Sequence, residues 1–192
     1  MAASSFTLIV GLGNPGVEYA RSRHNVGFQA LDRLAEAHGL RFSRHQAKAS
    51  LALGSIAGRK VILVKPLTYM NLSGQSVGQL ARFYKVLPAD ILVICDDLDL
   101  PLGRMRLRPE GGSAGHKGMT SIIQTLGTEA FPRLRVGIGR PADNDAVDFV
   151  LNRFSPDDEI TMSRVYDRVV AAVSVFLTEG IDVTMNEFNA GL

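Results

Sequence analysis

The hydrophobic patterning of this chain predicts an α/β fold: a single domain over residues 1–192, with a twisted mixed β-sheet covered by helices on both faces. Three observations carry that prediction. Short, β-rich apolar runs occur at 7–10, 61–64 and 91–95, with a further strand at 134–138, all of strand length and too short for core helices. Segments with apolar residues at helical spacing lie between them. A Gly58-Arg59 turn joins two strand-like runs as a hairpin would, adding antiparallel pairing to an otherwise alternating order. At 192 residues, 46% hydrophobic and 21% charged, the chain has the size for one sizeable core and the composition of an ordinary globular domain.

In chain order, the first strand feeds a glycine-bearing turn and a polar loop, and helical spacing begins near Val26 with Phe28, Leu31, Leu34 and Ala35 on one face. Gly39 stands where a glycine commonly closes a helix. Residues 51–57 and 61–64 form the expected hairpin. Residues 73–84 read as a helix through Val77, Leu80, Ala81 and Tyr84, followed by the strand at 91–95 and the acids Asp96, Asp97 and Asp99. Charged and apolar residues alternate over 101–108, the pattern of an exposed edge strand. After the glycine-crowded 111–118, Met119, Ile122, Ile123 and Leu126 mark a helix closed by Gly127. Residues 141–152 are polar and read as a loop or lid. Ser155, Pro156, Asp157 and Asp158 then give a cap, a first-turn proline and acids at the positive end of a helix running to about Glu179. The strand order is not fixed by these patterns. If the strands before the loops after Val10, Val64, Cys95 and Ile138 are parallel neighbours, those loops meet at one sheet edge, the usual ligand edge of such folds.

The composition also excludes classes. One cysteine, Cys95, inside an apolar run, rules out an internal disulfide and a cysteine zinc cluster. No apolar run approaches the roughly 18 residues of a membrane span, and the opening MAASSFTLIVGLG lacks a signal-peptide pattern, so a reducing cytoplasm is expected. The net charge is only +2. Its distribution is uneven: Arg104, Arg106, Arg108, Lys117, Arg133, Arg135 and Arg140 face only Glu110 and Glu129 within 104–140, which favours an anionic partner.

Among candidate sites, Gly11, Gly13 and Gly16 match G-x-G-x-x-G, with Asp32 downstream. In a dinucleotide turn, however, the glycines open directly into a helix; here the helix starts well after Gly16 and Asp32 lies inside it. His24 in the polar loop is a stronger candidate. Asp96, first after a buried strand, can orient one imidazole nitrogen and leave the other free as a base. Read as a metal site, the acids and His24 or His116 lack short-range ligand spacing, so neither metal nor cofactor is expected. Asn14 and Asn71 are amides in turn-forming sequence, able to grip a peptide group or a developing oxyanion. His116 precedes a helix start, and Tyr19 and Met70 offer apolar walls. With no G-x-S-x-G and a buried Cys95, direct attack by water is the simpler hydrolytic chemistry.

Five segments occur together and in order: VGLGNPGVEYARSRHNVGF at 10–28, KPLTYMNLSG at 65–74, DDLDLPLG at 96–103, GHKGM at 115–119 and FPRLRVGIGRP at 131–141. On these the chain resembles the bacterial-type peptidyl-tRNA hydrolases, closely over 8–141 and more loosely to 188. The resemblance implies cleavage of the ester between a peptide and the 3′ end of tRNA, by a cytoplasmic monomer without metal or cofactor. It implies His24 as the base that activates water and Asp96 as its orienting acid. Asn14 and Asn71 would hold the substrate and its reacting carbonyl, and His116, Tyr19 and Met70 would contact substrate. Arg108 and Arg135, with Arg106 on the same basic stretch, would meet tRNA phosphates. Lys117 departs from the family pattern, which often has Asn there, and is expected to contact phosphate or carbonyl instead. The rival reading is a non-catalytic RNA-binding or RNA-processing protein on the same scaffold.

Overall fold

The structure is a computed structural model that describes residues 6–141 and 145–190. Seven strands form one mixed sheet: β1 (Thr7–Gly11), β2 (Arg44–Gln46), β3 (Ala49–Ile56), β4 (Arg59–Pro66), β5 (Ile91–Asp97), β6 (Met105–Arg108) and β7 (Arg133–Gly137). Their spatial order is β2-β3-β4-β1-β5-β7-β6. The central β4-β1-β5-β7 pairings are parallel, whereas β2-β3, β3-β4 and β6-β7 are antiparallel. The carboxyl ends of β1, β4, β5 and β7 therefore share one edge, as the sequence requires for its polar loops to meet.

The central strands β1, β4 and β5 are apolar through their middles because both faces are covered, whereas β7 carries Arg133 and Arg135 among its apolar residues. Alternate residues serve different cores. Ile9, Leu63, Leu92 and Ile94 join one cluster with α1 (Val26–Ala37) and α5 (Pro156–Glu179), while Leu8, Val10, Ile62, Val64, Val93 and Cys95 join another with α2 (Ser73–Phe83) and α3 (Lys117–Leu126). Capping follows the sequence signals. Gly127 closes α3 at φ 70°, and the Ser155 hydroxyl accepts the Asp158 N–H at 3.1 Å to start α5.

Several boundaries differ from expectation. The hairpin strands are longer than their apolar cores, because paired backbones extend past the residues that are buried. Of the expected edge strand only Met105–Arg108 is formed; it does lie at the sheet edge, with Met105 and Leu107 buried and Arg106 and Arg108 exposed. Residues 141–152 are not simply a loop: residues 142–144 lie outside the described residues, but Ala146–Leu151 is a short helix, α4. The three-residue β2 and a terminal helix α6 (Ile181–Phe188) had no counterpart in the sequence reading.

Candidate active site

The shared strand edge opens on a cavity of about 540 Å³ lined by residues from the β1 and β4 loops, β5, the glycine loop before α3, and α4. Asp96 stands at its floor. It is the sixth residue of β5, so its carboxylate leaves the sheet where the strand ends, and only 5% of the residue is exposed. Two histidines converge on it. His24 Nδ1 lies 2.9 and 3.0 Å from the two Asp96 oxygens, and His116 Nε2 lies 2.9 Å from Oδ1.

The surrounding bonds fix where the protons sit. His116 caps α3, its Nδ1 accepting the Met119 N–H at 3.3 Å, so the ring proton is on Nε2 and is donated to Asp96. His24, donating Nδ1–H to the same carboxylate, keeps its Nε2 lone pair, and that nitrogen has no hydrogen-bond partner among the described residues. Burial by itself would raise the Asp96 pKa. Electrostatic attraction to and hydrogen bonding with His116 and His24 outweigh it and hold the carboxyl well below the usual carboxylate range. An imidazole so held can take a proton from water and be stabilised as it becomes charged.

Asn14 is also held by one end. Its side-chain oxygen accepts the Met70 N–H at 2.8 Å, which leaves the amide N–H₂ as the available donor. The backbone beneath it is fixed by Asn25: the Asn14 N–H donates to Asn25 Oδ1, and Asn25 Nδ2 donates to the Asn14 carbonyl, each at 2.9 Å. Asn25 is buried and was not singled out in the sequence, since its partners are backbone groups eleven residues away. α1 begins directly after it. Gly27 lets the helix lie against the β1 end: a Cβ there would stand 2.3 Å from the Leu12 nitrogen and 2.5 Å from the Ile94 oxygen.

Among the described residues, ligand atoms of His24, Asp96 and His116 lie within 4.8 Å of one another, a cluster able in composition to hold a metal ion. Its hydrogen bonding argues otherwise. A metal needs the lone pair of His116 Nε2, and freeing it would put a proton on Nδ1 against the Met119 N–H. Cys95, lining the same cavity, is no nucleophile, because burial pushes its thiol pKa far up.

Residues 8–191 match the family model described as peptidyl-tRNA hydrolase. The chain belongs to the peptidyl-tRNA hydrolase family. It is 54% identical to the peptidyl-tRNA hydrolase of Chloroflexus aggregans over 184 residues, covering 95% of this chain and 98% of that one. The peptidyl-tRNA hydrolase of Symbiobacterium thermophilum is likewise 54% identical, over 95% of this chain and 98% of that protein. A crystal structure of peptidyl-tRNA hydrolase from Acinetobacter baumannii superposes with a TM-score of 0.92 at 37% identity, covering 99% of this chain and 97% of that one.

Within that family fold, the residues singled out from the sequence distribute unevenly. Asn14, His24, Met70, Asn71, Asp96, His116, Lys117 and Arg135 all line the cavity; Met70 is buried, and Asn71, on a single helical turn, and Lys117, the first residue of α3, are exposed. Tyr19 is half-buried and does not line it, because the turn after Gly16 carries it away from the strand edge. His116 is bonded to Asp96 itself, a closer role than substrate contact. Arg135 stands opposite Arg106, and Arg133 opposite Arg108, across β6 and β7. Arg135 Nε is 2.9 Å from Asp97 Oδ2, an ion pair without hydrogen-bond alignment, whereas exposed Arg106 and Arg108 have no ion-pair partner among the described residues. Arg133, counted in the basic stretch, is buried and donates to the carbonyls of Gly111, Gly112, Glu129 and Phe131, bracing the glycine loop. Tyr69 and the α4 residues Val147, Val150 and Leu151 also line the cavity; the α4 residues fall in the stretch read as a loop or lid, though none of the four is singled out by a sequence pattern.

Proposed function

We propose that this protein cleaves the ester between the peptide and the 3′ end of tRNA in peptidyl-tRNA, freeing the tRNA for translation. The observation that carries this is the His24–Asp96 pair, with an imidazole nitrogen free at the floor of a cavity beside a donor amide. His24 Nε2 takes a proton from water, and the oxygen attacks the ester carbonyl. The Asn14 amide donates to the developing oxyanion, a role suited to a neutral group already fixed in place. The tetrahedral intermediate collapses, the C–O bond to the tRNA breaks, and the 3′-oxygen takes the proton back from His24. Asp96 stabilises the imidazolium between these steps, and His116 holds Asp96 from the other side.

Asn71, Met70 and Lys117 contact substrate in this reading, Lys117 as a cation where relatives often carry an amide. Arg106 and Arg108, with Arg135, meet tRNA phosphates, giving affinity with little dependence on sequence. The relatives reported above are all named as hydrolases, which leaves the non-catalytic RNA-binding reading without support. No described helix is long and apolar enough to cross a membrane, and a cytoplasmic monomer is part of the same proposal. The test is release of the acyl-amino acid from N-acetyl-aminoacyl-tRNA by purified protein in excess chelator. Turnover equal to that without chelator is expected. Loss of turnover in chelator, restored by a divalent metal, would replace the base mechanism with a metal one, and tRNA binding without any release would revive the RNA-binding reading.

A further inference from the structure

α4 has six residues, none of them buried, and a helix so short does not persist on its own hydrogen bonds. Internal ties exist: the Asp145 side chain accepts the Asp148 N–H at 3.1 Å, and Asn152 Nδ2 donates to Asp148 Oδ2 at 2.8 Å. These close the helix but do not place it. Placement comes from Arg23, the residue before His24. Its guanidinium lies 4.2 Å from the ring centre of Phe149 and 5.2 Å from that of Phe154, and its Nη1 donates to the Phe149 carbonyl at 3.4 Å. The Arg23 N–H donates to the Asn152 carbonyl at 3.0 Å, and Ser22 bridges Arg153 in antiparallel fashion. The far side of the same helix gives Val147, Val150 and Leu151 to the cavity wall, with Val147 66% exposed.

We propose that Arg23 is a positioning residue that holds α4 against the turn carrying His24, so that α4 serves as an apolar wall for the peptidyl group and favours substrates with large apolar side chains. A guanidinium suits this task, since one flat group can lie over aromatic rings and donate to a carbonyl. The preference for apolar peptidyl groups rests on the proposed reaction; the hold of Arg23 on α4 does not.

The test compares the whole chain with its Arg23→Met, Arg23→Lys and Phe149→Leu variants. Amide hydrogen exchange within residues 146–151 is expected to rise by about tenfold or more in each, with α1 and β5 unchanged. The Arg23→Met, Phe149→Leu double variant should rise no further than Arg23→Met alone, because both remove one interaction. KM for N-acetyl-leucyl-tRNA should rise about tenfold and that for N-acetyl-glycyl-tRNA about twofold, with kcat within about threefold of the parent. Unchanged exchange in α4, or an equal rise in α1 and β5, would overturn the proposal, as would a fall in kcat with both KM values unchanged. A parent that cleaves neither ester would overturn the reaction instead, and α4 exchange would still decide the role of Arg23.

Discussion

At Asp96 burial and hydrogen bonding oppose each other, and the two histidines prevail. A carboxyl whose folded pKa is depressed adds stability above its unfolded value near about 3.9, and that stability is lost as pH falls toward the folded value. The difference in unfolding free energy between the parent and Asp96→Asn should therefore be largest near pH 6 and narrow as pH drops below about 4. A gap that stays constant across that range would mean the histidines do not stabilise the anion. The same substitution sets an amide against ring N–H groups and releases His24 to the wrong tautomer, so turnover should fall on the order of 10³-fold or more, measured on acylated tRNA at neutral pH. How much of this was readable beforehand differs by residue. His24 and Asp96 were paired from sequence because loop and strand-end placement told that they face one edge. That His116 shares the same carboxylate oxygen was not readable, since its bond depends on how α3 docks. Asn25 escaped for a related reason: a side chain that serves backbone groups leaves no pattern of its own.

Elements were legible where burial imposes a period and obscure where it does not. The four parallel strands, α1, α2, α3 and α5 each show a buried face or a capping signal, such as Ser155 for α5. The short β2 has only Arg44, His45 and Gln46, all polar, and α4 has no buried residue, so burial leaves no period in either and α4 has only its local ties at Asp145 and Asn152 and its contacts with Arg23. Close approach between elements is equally hidden until the helices dock. Gly27 shows the consequence, because the three nearest atoms a Cβ would strike all belong to the backbone and cannot swing aside. Gly27→Ala should destabilise the protein by about 1–3 kcal/mol or more, which for a chain of this size lowers Tm by several degrees. It should also displace the start of α1 and with it the turn of His24, lowering kcat. A variant with the parent's Tm and activity would show that α1 has slack at this point.

For the whole molecule, the sheet order separates two kinds of chemistry. The parallel strands bring His24, Asp96 and His116 to one edge, while β6 at the sheet margin carries Arg106 and Arg108 outward without acidic partners among the described residues. Replacing both with Gln should weaken tRNA binding and reduce the slope of log affinity against log salt by about 1 to 2, with Tm little changed. Parallel salt plots for parent and variant would remove these arginines from the tRNA surface. The claim on which the rest depends is that His24 is the base. Single-turnover cleavage of N-acetyl-aminoacyl-tRNA by His24→Ala, with tRNA affinity measured on the same protein, tests it most directly. The account predicts a rate at least ~10²-fold lower with tRNA bound as tightly as by the parent; a variant that cleaves at the parent's rate would contradict it.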